Sequence, residues 1–436
     1  MEVIGISLIA VGLFAFLGLG VWVFVALLAT AVLSLLMVAG MSPDRVGAIA
    51  SSVVLRYAGS AELAAIPMFI WMGEILFRSD ISDRLFRGLS PFVTRLPGGL
   101  VHTNILGCTM FAAISGSSAA TTATVGKITV RKLHRRQYDS RLVIGSLAGA
   151  GSLGLMIPPS IAIIVYGILA EVSVSRLFAA GVIPGLVVAG LCSGYIFVND
   201  LFSERPSDSD REGFFPLTRY LHAVGDLLPI VVLMLIVLGS IYSGLATPSE
   251  AAAVGVLGSL VIVTILGQFS IEIVTTSLAG ALRSSCMVMT VLLAAAVLST
   301  TMGYLHIPAR VAQGIGQMHL PPYMLILILA MMYIGLGMLL DGISMIVMTL
   351  PITLPLIQQA GFDPVWFGIF LILMAELSQI TPPVGMNLFV LQGMTGRPIA
   401  WIARAATPFF LLMCLAALLL TVFPGLALWL PNILYN

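Results

Sequence analysis

The chain has 436 residues, of which 59% are hydrophobic and only 9% charged. Soluble domains carry about 25% charged residues, so a mean hydropathy of +1.10 excludes a soluble enzyme or binding module and points to an integral membrane protein. A net charge of +1 argues against a general role on nucleic acid or anionic surfaces. Cys108, Cys192, Cys286 and Cys414 stand singly in apolar runs without metal-ligand spacing, and read as small packing residues.

In chain order, apolar runs predict spans at 3–17, 21–38 and 61–77. The first lacks the basic flank of a signal peptide and reads as a retained span. Two basic clusters follow: Arg78, Arg84, Arg87 and Arg95, then Lys127, Arg131, Lys132, Arg135, Arg136 and Arg141. Of the 20 Lys and Arg, only Arg45, Arg56, Arg176 and Arg310 fall on the side opposite the others. The richly basic side is the cytoplasm. With both clusters cytoplasmic, the stretch 98–126 between them enters and leaves by one face. Its 29 residues are too few for two crossings of about 20 residues each. It reads as a re-entrant helical hairpin with its tip at Ser115–Ser118, closing the N-terminal spans of 1–97.

Beyond it, 142–198 holds an outward span (142–170, broken at 149–159) and a return span (181–198). The segment 200–222 is the longest polar one and is expected in the cytoplasm, with five acids between Asp200 and Glu212. A second set of spans occupies 227–303, at 227–242, 249–265 and 284–303, with Arg283, Arg397 and Arg404 in later loops. The flanks of 323–356 are nearly free of basic residues, which predicts a second hairpin entering from the periplasmic side, its tip at Asp341–Ser344. A broken span at 365–391, interrupted at 379–385, and a last span at 409–430 place both termini outside. The fold class is an all-α integral membrane protein, a single polytopic domain built as an inverted repeat. Each half has one re-entrant hairpin and one broken transmembrane helix.

The polar residues repeat with the spans. Ser115-Gly116-Ser117-Ser118, with Thr121 and Thr122, precedes Pro158-Pro159-Ser160; Asp341-Gly342-Ile343-Ser344 precedes Thr381-Pro382-Pro383 and Asn387. From Ser115 to Pro158 is 43 positions, and from Asp341 to Pro382 is 41. Matched interruptions in two halves of a membrane protein point to a transporter's binding site. Paired prolines withdraw amide donors and free carbonyls, while hydroxyls and a carboxylate suit a hard cation such as Na⁺. Asp341, the one charge between Met331 and Leu356, is the leading carboxylate for that role, and Glu376 is a further candidate. Against these stand blander readings: a helix-capping carboxylate, close-packed small residues or a plain kink. Glu62 and Glu74 read as interfacial partners of Arg56 and Arg78, and the five histidines as ordinary. No Walker loop is present, and Ser115-Gly116-Ser117-Ser118 is not the Gly-x-Ser-x-Gly elbow of a serine hydrolase. The chain is expected to be no enzyme, to need no cofactor, and to run on an ion gradient.

These stretches, together with Ala64-Ala65-Ile66-Pro67-Met68-Phe69, Gly244-Leu245-Ala246-Thr247-Pro248-Ser249-Glu250-Ala251 and Thr381-Pro382-Pro383-Val384-Gly385-Met386-Asn387, resemble the large membrane (M) subunit of TRAP (tripartite ATP-independent periplasmic) transporters. The match runs in order along nearly the whole chain. The resemblance implies a multi-pass protein of the bacterial inner membrane that works by an elevator movement. It implies Na⁺-coupled uptake of an organic acid, such as a C4-dicarboxylate or sialic acid. It also implies two partners: a periplasmic solute-binding (P) subunit and a small four-helix membrane (Q) subunit. Cation sites would fall at Ser115–Ser118, the Pro158-Pro159 break, Asp341–Ser344 and the Thr381–Asn387 break. The alternative is a stand-alone Na⁺- or H⁺-coupled carboxylate or anion carrier of the same architecture.

Overall fold

The computed structural model describes residues 11–13, 15–202, 216–317, 321–338, 340–383 and 385–435. The start of the expected first span and most of the acidic segment 200–222 lie outside the described residues. Every regular element in the described part is a helix. Among the described residues six helices are long and apolar enough to cross a membrane: Val174–Leu201, Leu217–Tyr242, Pro248–Ile265, Ile271–Tyr304, Gly342–Gln359 and Ile399–Val422. The pair Pro43–Ala58 and Ala61–Phe77, bent by 60°, makes up to seven.

The helix order repeats. Val23–Met37, Pro43–Ala58 and Ala65–Phe77 lead into the helix Ile81–Val93; Leu217–Tyr242, Pro248–Ile265 and Ile271–Tyr304 lead into Ile307–Gln317. A helix pair, a broken span and a long helix then follow in each half. Packing crosses between the halves in a matched way. Ala65–Phe77 packs on Pro248–Ile265, Ile271–Tyr304 packs on Pro43–Ala58, and the two third helices pack on each other. These helices form a frame around the hairpins and broken spans.

Hairpin 1 consists of His102–Ser115 and Ser118–Arg135. Its second arm runs beyond the expected end at 126, through the basic cluster. A charge cluster marks where the membrane ends, but Lys and Arg are good helix formers and need not end a helix. For the same reason Arg283 lies inside Ile271–Tyr304, and Arg404 inside Ile399–Val422, rather than in loops. The 34-residue helix Ile271–Tyr304 is about 51 Å long at 1.5 Å per residue, well over the hydrocarbon thickness. Hairpin 2 consists of Pro322–Gly337 and Gly342–Gln359. Its two arms are joined by a hydrogen bond of 3.0 Å from the Tyr333 hydroxyl to Thr353.

Broken span 1 is Ser140–Gly151 and Ile161–Ala170, with a short 3-10 turn, Ser152–Leu155, between them. Broken span 2 is Pro364–Gln379 and Met386–Thr395. From Val365 to Gln379 every residue is buried, so this is the central helix of the molecule. The expected last span, 409–430, is two helices, Ile399–Val422 and Gly425–Tyr435. Pro424 disfavours helical backbone at Phe423, which adopts φ −120° and ψ 75°. Helices approach closely where glycine allows it. Gly145 and Gly149, four positions apart, lie against Ala405 and Phe409 of Ile399–Val422, leaving no room for a side chain.

Candidate site where the hairpins meet the broken spans

Hairpin 1 turns at Gly116, whose φ of 56° is left-handed and costs little without a Cβ. Ser117 then caps the second arm, accepting from the Ala120 amide at 3.4 Å. The Ser115 and Thr121 hydroxyls lie 2.8 Å apart and tie the two arms. Ser118, buried at the head of the second arm, donates to both carboxylate oxygens of Glu376 at 2.8 and 2.9 Å. Glu376 is fully buried in the central helix and also accepts from the Leu155 amide. The Ser160 hydroxyl in turn donates to the Leu155 carbonyl. One carboxylate therefore joins the tip of hairpin 1, the break of span 1 and the helix of span 2. An ionised or polar group inside a membrane protein persists only with such partners.

Gly154 makes this contact possible, since a Cβ there would lie 2.5 Å from the Ser118 Cα. Gly151 meets Thr122 in the same way. Both glycines belong to the small-residue run 145–154, whose composition by itself suits close helix packing. Gly342, at the start of hairpin 2's second arm, fits against Leu155 and Gln379; a Cβ would stand 3.0 and 3.1 Å from them. Both hairpin tips thus reach the break of span 1 and the central helix.

Both breaks carry a cis peptide bond, at Pro158-Pro159 and Pro382-Pro383. Beyond the second break, Gly385 has φ 35°, and Asn387 is fully buried, with neither side-chain polar atom hydrogen-bonded among the described residues. The buried Thr122 hydroxyl is likewise without a partner. Thr381 donates to the Leu377 carbonyl at 2.7 Å. Asp341 is exposed and caps its own helix, accepting from the Ser344 amide at 3.2 Å. It takes the helix-capping geometry, while Glu376 takes the central one. The sequence signal for Glu376 is a lone carboxylate in an apolar run, three positions before Gln379 at the second break.

A cavity of about 240 Å³ lies between the frame and the two tips. Glu74 and Ser284 face it from the frame, Ser115, Gly116 and Ser117 from hairpin 1, and Ile343 from hairpin 2. Glu74 is held by Arg78 at 3.1 Å. Among the described residues no cluster of His, Cys, Asp and Glu has the makings of a transition-metal site.

The family model of the tripartite ATP-independent periplasmic transporter, DctM component, matches residues 10–426. The chain belongs to this family of TRAP large permeases. It is 32% identical over 392 residues to the C4-dicarboxylate TRAP transporter large permease protein DctM of Pseudomonas aeruginosa, covering 90% of this chain and 91% of that one. It is 31% identical over 421 residues to the isethionate TRAP transporter permease protein DctMQ of Oleidesulfovibrio alaskensis, covering 96% of this chain and 65% of the relative. The sialic acid TRAP transporter large permease protein SiaM of Vibrio cholerae is 28% identical, covering 85% of this chain and 86% of SiaM. In fold, this TRAP permease resembles the Alcanivorax borkumensis YdaH transporter, with a TM-score of 0.64 at 16% identity over 90% of this chain and 91% of the other. It also resembles Neisseria gonorrhoeae MtrF, with a TM-score of 0.61 at 13% identity over 89% and 85%. The likeness at such low identity is one of fold.

Proposed function

We propose that this TRAP large permease carries out Na⁺-coupled uptake of an organic acid across the bacterial inner membrane. The hairpin-bearing part, with its broken spans, moves as an elevator against the frame. The observation that carries the reading is the junction at Glu376, where hairpin 1 and both broken spans meet as one body. Gly73 of the frame lies against the tip of hairpin 1, with a Cβ position only 2.9 Å from the Ile114 carbonyl. That smooth contact suits sliding, and the cavity beside it suits a small substrate. An acid's carboxylate would meet the Ser115 and Ser117 hydroxyls at the N-terminus of Ser118–Arg135, where amides and the helix dipole favour an anion. Na⁺ would take oxygen ligands from the freed carbonyls around Pro158-Pro159 and Pro382-Pro383, and from Thr122 and Asn387, whose oxygens have no partner. Asp341, exposed at the other tip, would set the field for the second ion.

C4-dicarboxylate, sialic acid or a related acid is the substrate class that the relatives' names support. A periplasmic P subunit would deliver it. The fused name DctMQ of one relative supports a Q subunit as the permanent membrane partner. With the richly basic side in the cytoplasm, 127–141 would face the cytoplasm and both termini the periplasm.

Reconstitution tests this. In proteoliposomes, negligible uptake is expected from this chain alone. Uptake should appear when the Q subunit, the loaded P subunit and an inward Na⁺ gradient are all supplied. Strong uptake of free acid by the isolated chain would sink the tripartite reading and favour a stand-alone Na⁺- or H⁺-coupled carrier.

A further inference from the structure

A second cavity, of about 520 Å³, lies along hairpin 1 away from its tip. Lys127 is nine residues past Ser118, about 13 Å along the helix, so this space is separate from the junction at Glu376. Its walls come from both halves of the chain. Lys127, Arg131 and His134 line it from hairpin 1, Ser140 from the start of broken span 1, and Thr395 and Arg397 from the end of broken span 2. Lys127, Arg131 and His134 stand four and three positions apart and so share one helix face. Among the described residues no Asp or Glu lines the cavity.

An excess of positive charge on one side of a membrane requires no such convergence. Lys132, on the same arm, shows the ordinary alternative: it pairs with Asp83 at 3.8 Å and lies over the Phe86 ring. Among the described residues, neither Lys127 nor Arg131 has a carboxylate within ion-pair distance. Arg397 rests on the face of Trp401 at 5.0 Å, which leaves its N–H edge free for an acceptor. Asp139, next to Ser140, spends a carboxylate oxygen on the Arg141 amide at 3.0 Å. The volume falls in the ordinary range for small-ligand sites.

We propose that this cavity is an anion site for a ligand bearing two or more carboxylate or phosphate groups. Such a ligand bridges hairpin 1 and the end of broken span 2, joining two elements from opposite halves of the chain. The basic groups are open to water, so binding is salt-sensitive. The ligand is either a soluble multivalent anion or the headgroup of an anionic lipid.

The full chain in nanodiscs of zwitterionic lipid separates these. Citrate is the soluble probe, and acetate at equal ionic strength is the monovalent control. Citrate should raise the melting temperature where acetate does not, and the double variant Lys127→Gln/Arg131→Gln should weaken the apparent affinity about tenfold. Arg141→Gln, basic but outside the cavity lining, should leave the citrate response intact. If a lipid headgroup is the ligand, nanodiscs containing cardiolipin, whose headgroup carries two phosphates, stabilise the unmutated chain and Arg141→Gln but not the double variant. The proposal is overturned if neither citrate nor cardiolipin stabilises the unmutated chain. It is equally overturned if the double variant responds to them as the unmutated chain does.

Discussion

At the first hairpin, Ser118 gives its hydroxyl to both oxygens of Glu376 and Gly154 packs beneath the turn. At the second hairpin, Asp341 spends its carboxylate on the amide of its own helix and stays exposed. The two units share a plan: helix, Gly- and hydroxyl-bearing turn, helix, then a span broken at a Pro-Pro pair. They differ in what holds the tip. The first is fastened to the central helix by a buried carboxylate from the opposite half of the chain. The second presents its carboxylate at an accessible turn. A matched sequence pattern thus produces one anchored tip and one open tip.

Breaking the anchor should have the largest effect. Glu376→Ala leaves the Leu155 amide and the Ser118 hydroxyl buried without an acceptor. Loss of hydrogen bonds to a buried charged or polar acceptor costs on the order of 3 kcal/mol. Uptake in the reconstituted system should fall to background, with a clear drop in melting temperature. Glu376→Gln keeps a carbonyl acceptor and the shape, and should recover much of the stability. An alanine variant that melts and transports like the unmutated chain would remove the anchor from the account.

The contact beneath the anchored tip offers a milder break. Gly154→Ala places a methyl carbon against the Ser118 backbone, which cannot swing aside as a flexible side chain can. Overpacking of this kind costs about 1–3 kcal/mol. A lower melting temperature and a raised Na⁺ requirement for uptake should follow. Unchanged values for both would mean that the tip and the break can part freely. The matching change Gly244→Ala, at a φ of 72° in an open turn, is a backbone-strain control far from the hairpins.

These differences mark what residues alone reveal. The paired polar breaks were legible because Gly, Ser and Pro interrupt long apolar runs, and interruption is a local property. The family was legible because six such stretches fall in order along the chain. Helix ends were less so, because charge marks the membrane's edge and helices run past it, as hairpin 1 does from Gly126 to Arg135. The amphipathic helices Ile81–Val93 and Ile307–Gln317 escaped for a related reason: each is too polar to read as a span. The central place of Glu376 depends on Ser118, 258 positions away in the chain, and on the Leu155 amide. No spacing rule announces a backbone amide as a partner. Asp341 drew attention as a lone charge, yet loneliness in sequence does not distinguish a cap from an ion ligand.

Asp341→Asn separates those two roles, and its effect on stability should be the smallest of the three. Asn is as good an N-cap as Asp, so the Ser344 amide keeps its acceptor and stability should change by less than about 0.5 kcal/mol. Only the charge is removed. If Asp341 helps to set the field for Na⁺, uptake should lose its steep dependence on Na⁺ while the melting temperature holds. Asp341→Ala provides the reverse control, since losing the cap costs about 1 kcal/mol in addition to the charge. Normal Na⁺ dependence in the Asn variant, with a lower melting temperature in the Ala variant, would leave Asp341 as a cap and nothing more. Coupling would then rest on the hydroxyls and freed carbonyls at the two breaks.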